Sequence, residues 1–233
     1  LLHFTLNYLE IYKIISVSKV YYTPGQTFFG VLKYAPFVLF SKFLGKEIIV
    51  HIHGNYVAKQ YEKLDGLQKR IFRKTLSYSN KGIVLSKTLH NNLSPFIAKE
   101  NVFVLPNFYN KQLTEQPVEK SFSELKICYL SNLMYEKGVF LLLEALEELN
   151  AKVISFKATI AGHIEQSQQE ILLNKMSQIE GLMYKGLVRG EEKSQMLQEA
   201  NVFVLPTFYR MEGLPISIIE AMATGNVIIT TNP

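Results

Sequence analysis

Short apolar runs alternate with amphipathic stretches along the first half of this 233-residue chain. Runs typical of buried strands lie at residues 19–23, 47–53, 82–86 and 102–106. Stretches with helical periodicity separate them, most clearly at residues 27–44 and 67–78. Because strands that alternate with helices favour a parallel sheet, we predict an α/β fold for this half.

The second half ends in the same kind of alternation. Residues 200–207 form an apolar run and residues 226–231 form another, with an apolar helical segment opened by Pro215 between them. The order strand, loop, helix, strand predicts a βαβ unit. Since ligands of open parallel sheets bind beyond the carboxyl ends of the strands, the loop before Pro215 is a candidate binding site.

Two carboxylates, Glu212 and Glu220, flank that turn. Gly213 lets the backbone approach a ligand, and Pro215 suits the first helical position, where the free amides and the helix dipole can bind a phosphate. Glu220 lies about one and a half turns inside an otherwise apolar helix and therefore needs a partner. The vicinal hydroxyls of a ribose would satisfy it, as would a buried arginine or a backbone amide.

These residues resemble a known family. The pattern from Glu212 to Gly225, which encloses Gly-Leu-Pro and ends in Glu-Ala-Met-Ala-Thr-Gly, is similar to the donor-binding signature of glycosyltransferase family 4, retaining enzymes of the GT-B fold. The resemblance extends, in the family's order, to residues 126–139, 158–162 and 186–193. It implies an α/β protein with two Rossmann-like domains that face a cleft.

The resemblance also implies that two domains along the chain bind different substrates. Residues 1–109 would be the acceptor-binding domain and residues 124–233 the donor-binding domain. Between them, the polar, proline-containing run 110–123 is typical of a linker. We expect both domains to be incomplete. The chain starts in a helix-like run at 1–4, without the opening strand and glycine-rich loop of the family, and stops at 231–233, where the family continues.

The family's donor-site residues can be carried over one by one. They are Asn132, Lys137, Val188, Arg189, Glu212, Gly213, Leu214, Pro215 and Glu220. Lys137 would neutralise the diphosphate of a nucleotide sugar, Glu212 would bind hydroxyls of the transferred sugar, and Glu220 would bind the ribose. The amides around Gly213 and Leu214 would bind sugar and phosphate.

The residues that would read the base match the family's pattern, whereas the second residue that would contact phosphate departs from it. The backbone of Val188 and Arg189 stands where family members read the base. Asn132 stands where the family usually has an arginine, so the site would hold phosphate with one fixed cation fewer.

His53 is a further catalytic candidate beside Lys137 and Glu212. It follows a buried strand and precedes Gly54, and family members often carry a histidine there. His51 shares the same face of the strand, so a two-histidine metal site is an alternative. No third ligand stands nearby and the family generally works without metal, so we expect no metal and no cofactor apart from the nucleotide-sugar substrate.

The resemblance implies a hexosyltransferase that moves a sugar from a nucleotide-diphosphate sugar to a hydroxyl of a glycan or lipid-linked acceptor. The anomeric configuration would be retained, and the context would be cell-surface polysaccharide or glycolipid assembly. Two alternatives remain open. One is an inactive donor-binding partner subunit, favoured by Asn132, and the other is a GT-B-like sugar-nucleotide epimerase.

Charge adds modest constraints. The net charge of +5 is too mild for a nucleic-acid-binding protein that lacks a dedicated motif. Basic residues cluster in the 63–78 region at Lys63, Lys69, Arg70, Arg73 and Lys74. This segment is either a membrane-resting helix or a solvated outer helix of its domain. The single cysteine, Cys128, suits a reducing compartment, so we expect a cytoplasmic protein, with the membrane's cytoplasmic face as the site of any lipid contact.

Overall fold

The computed structural model describes residues 6–115 and 119–231. The chain divides into two compact units. The first contains the described part of Leu1–Pro106 together with Arg210–Leu214, and the second contains the described parts of Asn107–Tyr209 and Pro215–Pro233. The helix-like run at 1–4, part of the expected linker at 116–118, and residues 232–233 lie outside the described residues.

The first unit is built on a four-stranded parallel sheet. Its strands, in spatial order, are β1 (Lys19–Tyr22), β2 (Glu47–Ile52), β3 (Lys81–Val84) and β4 (Val102–Val104). All four predicted strands are therefore confirmed, with small shifts at their ends. Ile48, Val50 and Ile52 of β2 are completely buried, because alternate residues share one face of the strand, whereas Glu47 and Ile49 on the other face are half-buried.

The described part of the first unit contains four α-helices. They are α1 (Phe28–Leu32), α2 (Ala35–Phe43), α3 (Val57–Lys63) and α4 (Gly66–Ser77), with 3-10 helices at Leu6–Ser16, Lys87–Asn92 and Lys99–Asn101. The helical stretch predicted at 27–44 is confirmed as two helices, α1 and α2, with a break between them, and the stretch predicted at 67–78 is confirmed as α4. Pro36 accounts for the break. Its ring excludes the carbonyl of residue 32, where α1 ends, and its missing N–H is tolerated in the first turn of α2.

A five-stranded parallel sheet forms the centre of the second unit. Its strands are β5 (Leu125–Leu130), β6 (Phe156–Ala161), β7 (Leu182–Tyr184), β8 (Val202–Leu205) and β9 (Val227–Thr230), in the spatial order β7-β6-β5-β8-β9. The pairing of β8 with β9 confirms the predicted βαβ unit. Together, the two parallel sheets confirm the α/β class.

The helices of the second unit are α5 (Val139–Ala151), α6 (Gln169–Ser177), α7 (Gly190–Glu199) and α8 (Ile216–Ala223). Short 3-10 helices lie at Lys111–Thr114, Tyr135–Lys137 and Gln166–Gln168. The strand order reverses between β5 and β8, which are direct neighbours. The loops that leave their carboxyl ends therefore start side by side, which is the usual position of a ligand site in such a sheet.

In the described ranges, no helix has both the length and the apolar character needed to cross a lipid bilayer.

Candidate functional site

The loop after β5, residues 131–138, carries the predicted phosphate-binding residues Asn132 and Lys137. The hydroxyl of the fully buried Tyr129 donates to the carbonyl oxygens of Asn132 at 3.2 Å and of Lys137 at 3.3 Å. The amide of Leu133 donates to the carbonyl of His163 at 2.8 Å. These hydrogen bonds fix the backbone of the loop at residues 132, 133 and 137, so the loop presents a defined shape to a ligand.

Gly138 joins this loop to α5 in a left-handed conformation, with φ of 76°. A Cβ at this position would collide with the carbonyl of Pro206, which follows β8. In the adjacent strand-end loop, the amide of Phe208 donates to the carbonyl of Glu136 at 2.8 Å. The loops after β5 and β8 are thus in direct contact, and glycine is the residue that permits this approach.

Lys137 lies at the end of the 3-10 turn before Gly138 and is half-buried. Its ammonium lies 5.0 Å from the centroid of the Tyr209 ring, a cation–π arrangement. Asn132 is exposed in the same loop. The structure therefore places the predicted cation and the predicted amide on one braced loop at the switch point of the sheet.

Helix α8 begins at Ile216, with Pro215 as its cap rather than as its first helical residue. Its first turn is otherwise as predicted, because proline fixes the backbone at the entry and costs no hydrogen bond there. Glu220 lies in the fifth position of the helix and is 5% exposed. The burial expected for this carboxylate is present.

The partner of Glu220 was not anticipated. The ammonium of Lys193, from α7, forms an ion pair with Glu220 Oε1. The sequence left a ribose, a buried arginine or an amide open as partners, and the structure supplies a lysine from 27 residues upstream. Ribose binding by Glu220 stays a prediction, and Lys193 joins the candidate residues.

The predicted base-reading residues precede α7. Val188 is buried and Arg189 is exposed, with an extended backbone that leads into the helix at Gly190. A pocket of about 400 Å³ lies beside the start of α7. Its walls come from α7 and from the 110–115 segment, and include Asn110, Gln112, Gly190, Lys193, Ser194 and Gln198. A pocket of this volume can hold a small polar ligand.

The segment Arg210–Leu214 belongs to the first unit. Gln26 holds it, because its side-chain amide donates to the carbonyl of Met211 at 3.0 Å while its oxygen accepts from the amide of Tyr56 at 2.6 Å. Leu214 packs against the core of this unit, and Glu212 is half-buried. The predicted site residues are thus divided between the units, with Glu212, Gly213 and Leu214 in the first.

His53 lies next to that segment. A Cβ at Gly213 would collide with the carbonyl of His53, so the two backbones are in contact, and the His53 side chain is exposed. The structure therefore brings together His53 and the Glu212 loop, two elements far apart in the sequence. Gln26 is the residue that sequence reasoning missed here, because an isolated glutamine in a turn gives no signal.

His51 is buried behind His53, and the two rings lie 4.0 Å apart. Its Nδ1 is 2.6 Å from the hydroxyl of Tyr21. Burial, and then the neighbouring His53, lower the pKa of His51 to about 4, so its imidazole is neutral at neutral pH. Across the described parts of the chain, no group of three or more His, Cys, Asp or Glu side chains is arranged to hold a metal ion.

Comparison with known proteins identifies the family to which the second unit relates. A family model described as "Glycosyl transferases group 1" matches residues 110–233, more than half of the chain. WcaL of Escherichia coli (strain K12), named as a candidate glycosyltransferase of colanic acid biosynthesis, is 28% identical over 125 residues. That alignment covers 52% of this chain and 31% of WcaL, so the chain spans less than a third of that relative.

Solved structures resemble the chain over most of its length. The lipopolysaccharide outer core galactosyltransferase WaaB, in its apo form, superposes with a TM-score of 0.63 at 15% identity, over 98% of this chain and 64% of WaaB. A variant of TarM from S. aureus, solved with fondaparinux, alpha-GlcNAc-glycerol and UDP, gives 0.64 at 18% identity, over 84% of this chain and 39% of TarM. At these identities the likeness concerns the fold, and it confirms the GT-B class expected from the sequence.

Proposed function

Because this chain belongs to the group 1 glycosyl transferases, we propose that it acts in the transfer of a hexose from a nucleotide-diphosphate sugar to an acceptor hydroxyl. The observation that carries the proposal is the family match over residues 110–233, which includes the braced Lys137 loop and the Glu220 helix. The names of WcaL and WaaB support polysaccharide or lipopolysaccharide assembly as the context.

The donor would bind to the second unit. Lys137 would neutralise the diphosphate, and the free amides at the start of α8 would add the positive end of a helix dipole. As the leaving nucleotide gains charge in the transition state, these fixed groups would stabilise it without having to reorganise. Val188 and Arg189 would read the base, and UDP in the TarM structure makes a uridine nucleotide the first donor to test.

The first unit would supply the groups that act on the sugars. Glu212 would accept hydrogen bonds from hydroxyls of the transferred sugar, and the exposed His53 would bind an acceptor hydroxyl. Gln26 would keep the Glu212 segment in place through its two backbone bonds. The transfer would retain the anomeric configuration.

A panel of uridine and guanosine diphosphate sugars, measured by calorimetric titration, tests the donor assignment. We expect at least one to bind, and Lys137→Met to weaken that binding by about tenfold or more, since a charge-assisted contact is worth about 1.5–3 kcal/mol. Lys152→Met is the matched control, because Lys152 lies at the exposed end of α5 and pairs with the exposed Glu148. Unchanged affinity in the Lys137 variant would refute the assignment.

Transfer is tested separately, with an isotope-labelled donor and a panel of glycan acceptors. Product in the donor's own anomeric configuration, lost in Glu212→Gln, is the expected result. Donor binding without product would favour an inactive donor-binding subunit, which the exposed Asn132 also fits. Conversion of the donor sugar in the absence of an acceptor would favour an epimerase.

We further propose that α4 rests on an anionic lipid surface at the cytoplasmic face of a membrane. Arg70, Arg73 and Lys74 are exposed on this helix, and Leu67 beside them is 71% exposed. Lys69 and Lys74 also lie near tyrosine rings, at 4.9 Å and 5.8 Å from the centroids, which suits a solvated helix too.

Flotation with phosphatidylglycerol and phosphatidylcholine vesicles decides between these two roles of α4. We expect binding to the anionic vesicles alone, and its loss in Arg70→Gln/Arg73→Gln but not in Lys152→Met. Equal flotation of both variants would leave α4 as a solvated outer helix.

A further inference from the structure

In the ion pair between Lys193 and Glu220, the carboxylate is buried and the lysine is partly exposed to solvent. The Glu220 side chain is 7% exposed and the Lys193 side chain 27% exposed. Glu220 projects from α8, whose Ala221 lies in the core of the second unit with Ile218 packed against it, while Lys193 lies in the first turn of α7. The lysine therefore connects a buried carboxylate to the surface.

Lys193, the more exposed member of the pair, also lines a cavity. Lys193 is part of the wall of the 400 Å³ pocket, together with Asn110, Gln112, Ser194 and Gln198. This lining is polar, and part of its hydrogen-bonding capacity is used internally, because Asn110 donates to the side chain of Gln112 and Gln198 donates to the carbonyl of Leu113. A ligand in this pocket would meet the Lys193 side chain, whose ammonium is bonded to the buried carboxylate of Glu220.

Both members of the pair keep hydrogen-bonding capacity. An ammonium has three donors and a carboxylate has about four acceptor positions, so one mutual bond leaves most of them available. Because the bond uses Oε1, it fixes the orientation of the carboxylate and leaves Oε2 to accept from a ligand. The same bond stabilises the negative charge of Glu220 in a buried position, where an unpaired carboxylate would be costly.

We propose that Lys193 is a positioning residue for the ribose of the donor nucleotide, which is bound by the Lys193–Glu220 pair rather than by Glu220 alone. This inference rests on the proposed function, since it names the element that selects the ribose at the donor site. Lys193 holds the carboxylate in the orientation that accepts from the vicinal hydroxyls. The pair therefore favours a ribonucleotide over an analogue without the diol.

The test compares the affinities of UDP and GDP with those of their 2′,3′-dideoxy analogues, measured by calorimetric titration on the full chain. We expect the wild type to prefer the ribonucleotide by about tenfold or more, the size of one or two hydrogen bonds to charged groups. In Lys193→Met the preference should fall below about threefold. In Lys193→Arg it should be largely restored, because a guanidinium keeps the charge and the donors.

Two further variants separate positioning from folding. Lys193→Met leaves a buried carboxylate unpaired and could unfold the helix, so Lys193→Met/Glu220→Gln removes both charges at similar volume and should also lose the preference. Lys152→Met, at an exposed ion pair of the same unit, should keep it.

The outcomes distinguish this inference from the function on which it rests. A preference that persists in Lys193→Met, whether or not the double variant loses it, overturns the role of Lys193 and leaves the donor site intact. Nucleotide binding by the wild type without any preference for the diol overturns it equally. Binding of neither UDP nor GDP by the wild type overturns the donor site itself, and this inference with it.

Discussion

Single residues in this protein are held by partners that lie far away in the sequence. Glu220 pairs with Lys193, and Tyr129 braces the carbonyls of Asn132 and Lys137. The sequence indicated that Glu220 is buried and needs a partner, because the residues around it are apolar. It did not indicate which partner, because any of the 25 lysines and arginines could have reached it. A contact between residues that are distant in the sequence gives no signal in the local pattern of polar and apolar residues.

His51 makes the stability of the first unit depend on pH. Its folded-state pKa of about 4 lies below the usual value of 6.5, so between these values the unfolded chain binds a proton that the folded chain rejects. Stability should therefore fall as the pH is lowered from 6.5 to 4, by up to about 3 kcal/mol.

Urea unfolding at pH 7 and at pH 4.5 measures this loss. In His51→Gln the pH dependence should be flatter, whatever the absolute stability of the variant, while His163→Gln removes an exposed imidazole and should leave the slope unchanged. Equal slopes in the wild type and in His51→Gln would show that another group titrates.

Gly138 offers a second residue-scale prediction, and Gly186 supplies its control. Both have positive φ, 76° and 70°, but a Cβ at Gly138 would strike the Pro206 carbonyl, whereas nothing lies within 4 Å of one at Gly186. Gly186→Ala should cost about 1–2 kcal/mol of unfolding free energy from the backbone conformation alone. Gly138→Ala should cost about 1–3 kcal/mol more, because the loops after β5 and β8 must separate. Equal costs, measured by urea unfolding, would mean that those loops can give way.

At the scale of elements, the strands were easier to predict than the helices. Buried strands of a parallel sheet are short apolar runs bounded by turn residues, and the four in the first unit were found within a few residues of their ends. The helical stretch predicted at 27–44 is present, but the periodicity did not reveal that it is divided into α1 and α2. Pro36 breaks the intrahelical ladder, and the apolar periodicity on either side of it concealed the break.

The end of α7 depends on a lysine from outside the helix. The ammonium of Lys120 donates to the carbonyls of Leu197 at 2.8 Å, Gln198 at 2.7 Å and Ala200 at 2.5 Å. These carbonyls lie at the negative end of the helix dipole, where a cation is favourable, although burial lowers the pKa of Lys120.

Lys120→Met should therefore lower the free energy of unfolding by about 2 kcal/mol, because three carbonyls lose a charged donor. Lys152→Met, which breaks only an exposed pair, should change it by less than about 1 kcal/mol. A chemical denaturation series on both variants provides the comparison. A Lys120 variant as stable as the Lys152 variant would mean that water replaces the cap without loss.

At the scale of the whole molecule, the sequence indicated two α/β bodies but not where the Glu212 segment belongs. Residues 210–214 follow β8 of the second unit in the chain, so their sequence neighbours placed them with the donor-binding half. In the structure they belong to the first unit, because Gln26 donates a hydrogen bond to Met211 and the backbone of His53 contacts Gly213. This assignment depends on contacts between segments that are distant in the sequence, and the local sequence pattern does not reveal such contacts. The boundaries predicted at 110 and 123, with their binding roles, remain predictions.

The division of the core gives a last prediction. Leu76 in α4 and Leu146 in α5 are both completely buried, but they belong to separate clusters of apolar side chains, one in each unit. Truncation of either leucine to alanine leaves a cavity and should cost about 2–5 kcal/mol. Because each cavity lies in one cluster, Leu76→Ala should speed native-state amide exchange mainly in β1 to β4, and Leu146→Ala mainly in β5 to β9. If either substitution accelerated exchange equally in both sheets, the two units would unfold as one cooperative body despite their separate cores.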